Sequence, residues 1–93
     1  MELREWIGSY KVEAFPWIDG KRIYVNVQYY RPGQSIHQPP AWDKTIYVTD
    51  DDAGRILVFD LTHALVENIS MVEIKDSREV TFTVLSHPPS LTV

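Results

Sequence analysis

The stretch "TIYVTDDDAGRILVFDLTHALVEN", residues 45–68, decides how this chain is built. "TIYVT" alternates apolar and polar side chains, the period of a strand. "DDDAG" interrupts with turn residues, and "RILVF" then runs apolar without alternation, as a strand covered on both faces does. On this reading residues 45–59 form two strands joined by a short Asp-and-Gly loop, which makes a hairpin. "DLTHALVEN" is the helical segment. Asp60 caps it, because its carboxylate can accept from orphan N–H groups one turn in. Leu61, Ala64 and Leu65 share a face at i, i+3, i+4, and Asn68 is a C-terminal stop. The expectation is one short helix, residues 61–67, in a chain that is otherwise β.

Working outward, "KRIYVNVQYY" at 21–30 is the clearest strand. Ile23, Val25, Val27 and Tyr29 fall on one face, and Arg22, Tyr24, Asn26, Gln28 and Tyr30 on the other, the period of a half-buried strand. Tyr10 to Phe15 alternate loosely before the punctuation "PWIDG", so the two strands pair as an antiparallel hairpin through Asp19-Gly20. At the other end "ISMVEIKDSREVTFTVLS" reads as a further hairpin, with Val80, Phe82 and Val84 inward and the "KDSRE" segment turning the chain. "HPPS" cannot continue a central strand, since consecutive prolines remove ladder donors. The expected fold is mainly β: a small antiparallel barrel or rolled sheet of about six strands, its edges closed partly by the helix. Residues 1–86 form the single domain and 87–93 a tail.

Composition bounds the function. Ninety-three residues with 44% apolar side chains suit one core. No apolar run nears the roughly 18 residues of a membrane helix, and the charged start shows no secretory leader. There is no cysteine, which removes disulfides, thiolate nucleophiles and cysteine-ligated zinc. A cytoplasmic location fits these features. The net charge is −4, spread without any cluster of lysine or arginine, so the electrostatic attraction that drives nucleic-acid binding is missing.

Chemistry-bearing patterns are sparse. Asp50, Asp51 and Asp52 are consecutive rather than alternate, unlike a calcium loop, and suit a turn. His37, His63 and His87 are too far apart for a metal-binding spacing, no serine has a nucleophile-elbow setting, and the four glycines are unclustered. The expectation is therefore no enzyme, no cofactor and no metal. The aromatic residues are the better lead. Tyr24 and Tyr30 share a strand face with arginine and amides, a composition enriched at interfaces. The plainer alternative is cross-strand cover. Trp17 and Trp42 both flank proline-containing turns, and one of them would close a barrel end. The long segment "YYRPGQSIHQPPAWDK", residues 29–44, is stiffened because each proline also restricts its predecessor. Tyr24, Tyr30, Arg31, His37 and Trp42, gathered at one strand end and its loop, form the expected partner-binding surface.

"VNVQYYRPGQSIHQPPAWDKTIYV" resembles a pattern in small uncharacterised β-rich proteins encoded by bacteriophages. In it a strand ending in an aromatic runs into Pro-Gly, then a loop closing in Pro-Pro and an acid, then another strand. The matching residues are Tyr29, Tyr30, Pro32, Gly33, Pro39, Pro40 and Asp43, and "FDLTHAL" resembles a later Asp-Leu turn. The resemblance implies a phage or prophage source, a protein partner such as a host factor, and residence in the host cytoplasm. The leading expectation is thus a small non-enzymatic protein-binding or regulatory module. A self-associating structural or assembly subunit joined through sheet edges is the alternative, and a small-barrel enzyme or nucleotide-binding domain a further one.

Overall fold

The computed structural model describes residues 2–66, 69–76 and 79–84, with backbone alone for 69–76 and 79–84 except at Ile74. Four strands, β1 (Leu3–Ile7), β2 (Tyr10–Pro16), β3 (Arg22–Tyr29) and β4 (Trp42–Thr49), form an antiparallel sheet in chain order. One helix follows, α1 (Asp52–Val66), and then β5 (Ile69–Asp76) and β6 (Glu79–Val84) pair antiparallel as a separate two-stranded sheet. The fold is mainly β, as expected, but the four-stranded sheet is open, with β1 and β4 at its edges, and does not close into a barrel.

The helix is the main correction. It covers Asp52–Val66, so "RILVF" is its second turn rather than a strand, and the expected 45–59 hairpin and 61–67 helix are both replaced. Gly54, Val58, Leu61 and Leu65 are buried at helical spacing. The cap is Asp51, not Asp60: the Gly54 N–H donates to Asp51 Oδ1 at 2.8 Å, three residues on, as an N-cap requires. The Arg55 N–H then closes the first intrahelical bond on the Asp51 carbonyl at 3.0 Å. Gly54 is present for proximity rather than for a turn, because a Cβ there would overlap the Thr49 carbonyl oxygen at the end of β4.

The first hairpin explains the other difference. Ile7 opposes Tyr10 across a two-residue connection in which Gly8 has φ +60°, the left-handed backbone such tight turns need. This adds a strand at Leu3–Ile7 that sequence periodicity did not reveal, so the described residues still hold six strands although one of the expected six is helix. The β2–β3 hairpin is as expected, with Val12 opposite Val27 and Ala14 opposite Val25. Asp19 fixes its turn by accepting from the N–H groups of Lys21 (2.9 Å) and Arg22 (3.1 Å). The β5–β6 pairing also matches the expected final hairpin. The inward facing of Val80, Phe82 and Val84, the centre of the "KDSRE" turn and the 87–93 tail lie outside what is described.

The core lies on one face of the four-stranded sheet. Val12, Ala14, Ile23, Val25, Val27 and Val48 are fully buried there, with Ile46 and Tyr10 nearly so. Val58, Leu61, Ala64 and Leu65 of α1 and Ile74 of β5 complete the cluster. Burying each of the Val, Leu and Ile side chains among them contributes about 1.5–3 kcal/mol, so this inner face is the one that holds the fold. Its consequence for function is positional: α1 lies over one face, and the other is left to a different set of residues.

Candidate functional site

Strand parity puts Phe15, Tyr24 and Tyr47 in one row across the outer face, since Phe15 opposes Tyr24 and Tyr24 opposes Tyr47. Their rings meet. Tyr24 stacks on Phe15 with centroids 4.7 Å apart and on Trp17 at 5.5 Å, and Tyr47 stands edge-on to both Tyr24 (5.7 Å) and Trp17 (5.3 Å). Stacked and edge-to-face contacts are the arrangements a ring quadrupole favours. Trp17 joins from the β2–β3 turn, whose closing bond runs from the Trp17 N–H to the Arg22 carbonyl at 2.9 Å.

Arg22 ties this cluster to the same turn. Its Nε donates to Asp19 Oδ2 at 2.6 Å while its guanidinium carbon lies 4.9 Å from the Tyr47 ring centroid, within cation–π range. The backbone N–H of Lys21 first, and then the Arg22 side chain, hold the Asp19 carboxyl below its ordinary value.

A second, smaller cluster sits at the opposite end of this face. Trp6 of β1 and Tyr30, just past β3, lie 5.2 Å apart, and the Tyr30 hydroxyl donates to Gln28 Oε1 at 3.1 Å. Between the clusters the rows are polar: Arg4, Glu13, Asn26 and Thr45, then Lys11, Gln28 and Asp43. Asn26 is buried, and its Nδ2 reaches Asp43 Oδ1 (2.7 Å), Thr45 Oγ1 (2.8 Å) and the Lys44 carbonyl (3.2 Å). Two donor hydrogens spread over three acceptors leave that amide no spare donor, so its role is to fix the β3–β4 surface rather than to meet a ligand. Beyond the end of the short strand β1 lies an open hollow lined by Glu2, Leu3, Arg4, Ala14 and Phe15.

The five residues singled out from sequence do not form one surface. Tyr24 and Tyr30 share the outer face, but in different clusters. Trp42 opposes Tyr29 on the inner-face register and packs against the core, and Tyr29 in turn lies 5.2 Å from Tyr10. Arg31 and His37 are exposed in the 30–41 loop. Neither tryptophan closes a barrel end, since the sheet is open.

That loop is held from within, chiefly by Gln34. The Gln34 N–H closes a turn on the Arg31 carbonyl (2.9 Å) through Gly33 at φ +81°. The Gln34 side chain accepts from the Arg31 N–H (2.9 Å) and donates to the Pro39 carbonyl (2.6 Å). The three consecutive acids also have structural duties. Asp50 pairs with Arg55 at 2.9 Å, Asp51 caps the helix and Asp52 begins it.

Sequence reading missed Phe15, Trp17, Tyr47 and Trp6 as members of the aromatic face. The signal was available in the register: a hairpin turning at Asp19-Gly20 puts Phe15 beside Tyr24, and β4 then brings Tyr47 into the same row. No protein-family model, curated protein or solved structure matches the chain.

Proposed function

We propose that the chain is a protein-binding module whose contact surface is the outer face of the four-stranded sheet. The observation that carries this reading is the pair of aromatic clusters, Phe15–Trp17–Tyr24–Tyr47 with Arg22 and Trp6–Tyr30, bracketing a polar strip on the face opposite α1. Tyrosine, tryptophan and arginine are the residues that concentrate binding energy at protein interfaces, each joining a large apolar body to a polar tip.

The geometry favours a protein surface over a base or a sugar ring. The Tyr24 ring is already stacked on Phe15 and Trp17, so it is not a vacant platform for a flat ligand. The charges of the face are mixed, with Arg4, Lys11 and Arg22 against Glu13 and Asp43, which does not suit a polyanion. Prior packing of the rings also limits the side-chain freedom that docking would remove. If the source is a phage, as the loop pattern suggests, a host protein is the natural partner. On this reading Tyr24 and Tyr30 belong to the contact surface, and Arg31 and His37 extend it along the loop.

The test is comparative affinity capture from the native host. Wild type and the Phe59→Asp variant, altered on the helix instead, should recover the same partner, while Trp6→Ala/Tyr47→Ala loses it with its fold intact by circular dichroism. An identical set of captured proteins for all three would refute the assignment of this face.

A further inference from the structure

Helix α1 is apolar on two sides. One side, Gly54, Val58, Leu61 and Leu65, is buried in the core. Roughly opposite, by the 3.6-residue turn, run Ile56, Phe59, His63 and Val66. Ile56 is 58% exposed, Phe59 67% and Val66 61%, and His63 is exposed between them with its ring stacked on Phe59 at 6.1 Å. The intervals are three, four and three residues, the spacing of a coiled-coil seam over two heptads. This second side is also why "RILVF" reads as an unbroken apolar run.

We infer that a second copy of this chain docks along this seam, forming a two-fold dimer with the α1 helices parallel. Charge selects both the occupant and the direction. With Ile56 and His63 as the first seam position of each heptad and Phe59 and Val66 as the fourth, the described flanking positions are Arg55 and Thr62 on one side and Asp60 on the other. In a parallel pair, a residue at the first of these flanking positions faces the partner's residue five places later. Arg55 of each chain, whose guanidinium also holds Asp50 of its own chain at 2.9 Å, therefore meets Asp60 of the other, twice by symmetry.

An antiparallel pair brings the two Asp60 carboxylates towards each other instead. A β-branched residue at the first seam position, as Ile56 is, also suits two parallel strands. Asp52 continues the seam spacing one heptad before Phe59 but is charged, so the contact ends there. A seam of two heptads is small for a specific interface, which makes the dimer concentration-dependent rather than obligate.

The β1 edge is the poorer route to self-association. The antiparallel register in which two β1 edges overlap fully sets Glu5 against Glu5.

Sedimentation velocity of the full chain, from micromolar to near-millimolar concentration, tests the proposal. The mass should climb from 10.8 kDa towards twice that value, and Phe59→Asp or Ile56→Asp should raise the dissociation constant about tenfold or more. Both positions are exposed, and unchanged circular dichroism confirms that each variant folds. Arg55→Glu and Asp60→Arg, each weakened alone, should form a heterodimer when mixed, because each then supplies the opposite charge. A mass fixed at the monomer value, or dimerisation indifferent to Phe59→Asp and Ile56→Asp, overturns the interface. Failure of the mixed variants to rescue each other overturns the parallel arrangement.

Discussion

The two faces of the four-stranded sheet are built from the same strands but by different chemistry. The inner face is aliphatic and dry: Ile23, Val25 and Val27 of β3 are completely buried between neighbouring strands and α1. The outer face, one residue away in each case, carries Arg22, Tyr24, Asn26 and Gln28, which are held by ring stacking and hydrogen bonds. Aliphatic burial is non-directional, so the inner face needs only shape and volume. Ring pairs and amide contacts are directional, so the outer face presents a defined pattern even while half-exposed. The difference separates a surface that holds the fold from one suited to recognition.

Substitutions can break this contrast in order of expected size. Ile23→Ala removes a fully buried side chain and should lower unfolding free energy by about 2–5 kcal/mol, measured by urea denaturation. Gly54→Ala should come next, at about 1–3 kcal/mol, because the added methyl pushes the first turn of α1 off Thr49. If it is harmless, the helix does not approach β4 as closely as described. Tyr24→Ala, next to Ile23 but on the other face, gives up three ring contacts from a half-buried position. A loss of about 1–2 kcal/mol is expected, and a loss as large as that of Ile23→Ala would show the outer face to be core.

The smallest effect is a pH dependence at Tyr10, on the inner side. Burial, and to a lesser degree the charge of Tyr29, raises its hydroxyl above the ordinary value of 10.0. The folded chain thus keeps a proton that the unfolded chain releases. The stability from Tyr10 is complete below pH 10.0 and falls as pH rises from there through the raised value. Tyr10→Phe should therefore flatten the alkaline decline of the melting temperature, and an unaltered slope would remove Tyr10 as its source.

How far the sequence revealed this arrangement depended on whether a residue's local role matched its structural one. The alternation in β3 reports its two faces directly, because a strand between two neighbours has no other way to divide its side chains. Gly54 misleads because glycine after three aspartates is turn chemistry, whereas here it allows helix and strand backbones to touch, a non-local fact. Asp51 was hidden among three equivalent acids, of which only one can cap. "RILVF" misleads because a helix apolar on two sides has no stripe to detect. Edge strand β1, with Arg4, Glu5 and Trp6 all exposed, shows no burial period at all. Of the aromatic face, Tyr24 and Tyr30 were visible on one strand, while Phe15, Trp17 and Tyr47 required the register between strands.

The most direct measurement is tyrosine nitration of the isolated protein, mapped by peptide mass spectrometry across all five tyrosines. Tyr24, Tyr30 and Tyr47 on the outer face should react readily, and Tyr10, at 6% exposure, should be protected. Protection of Tyr24 and Tyr47 to the level of Tyr10 would mean that the outer face is already covered, contradicting its assignment as an open contact surface.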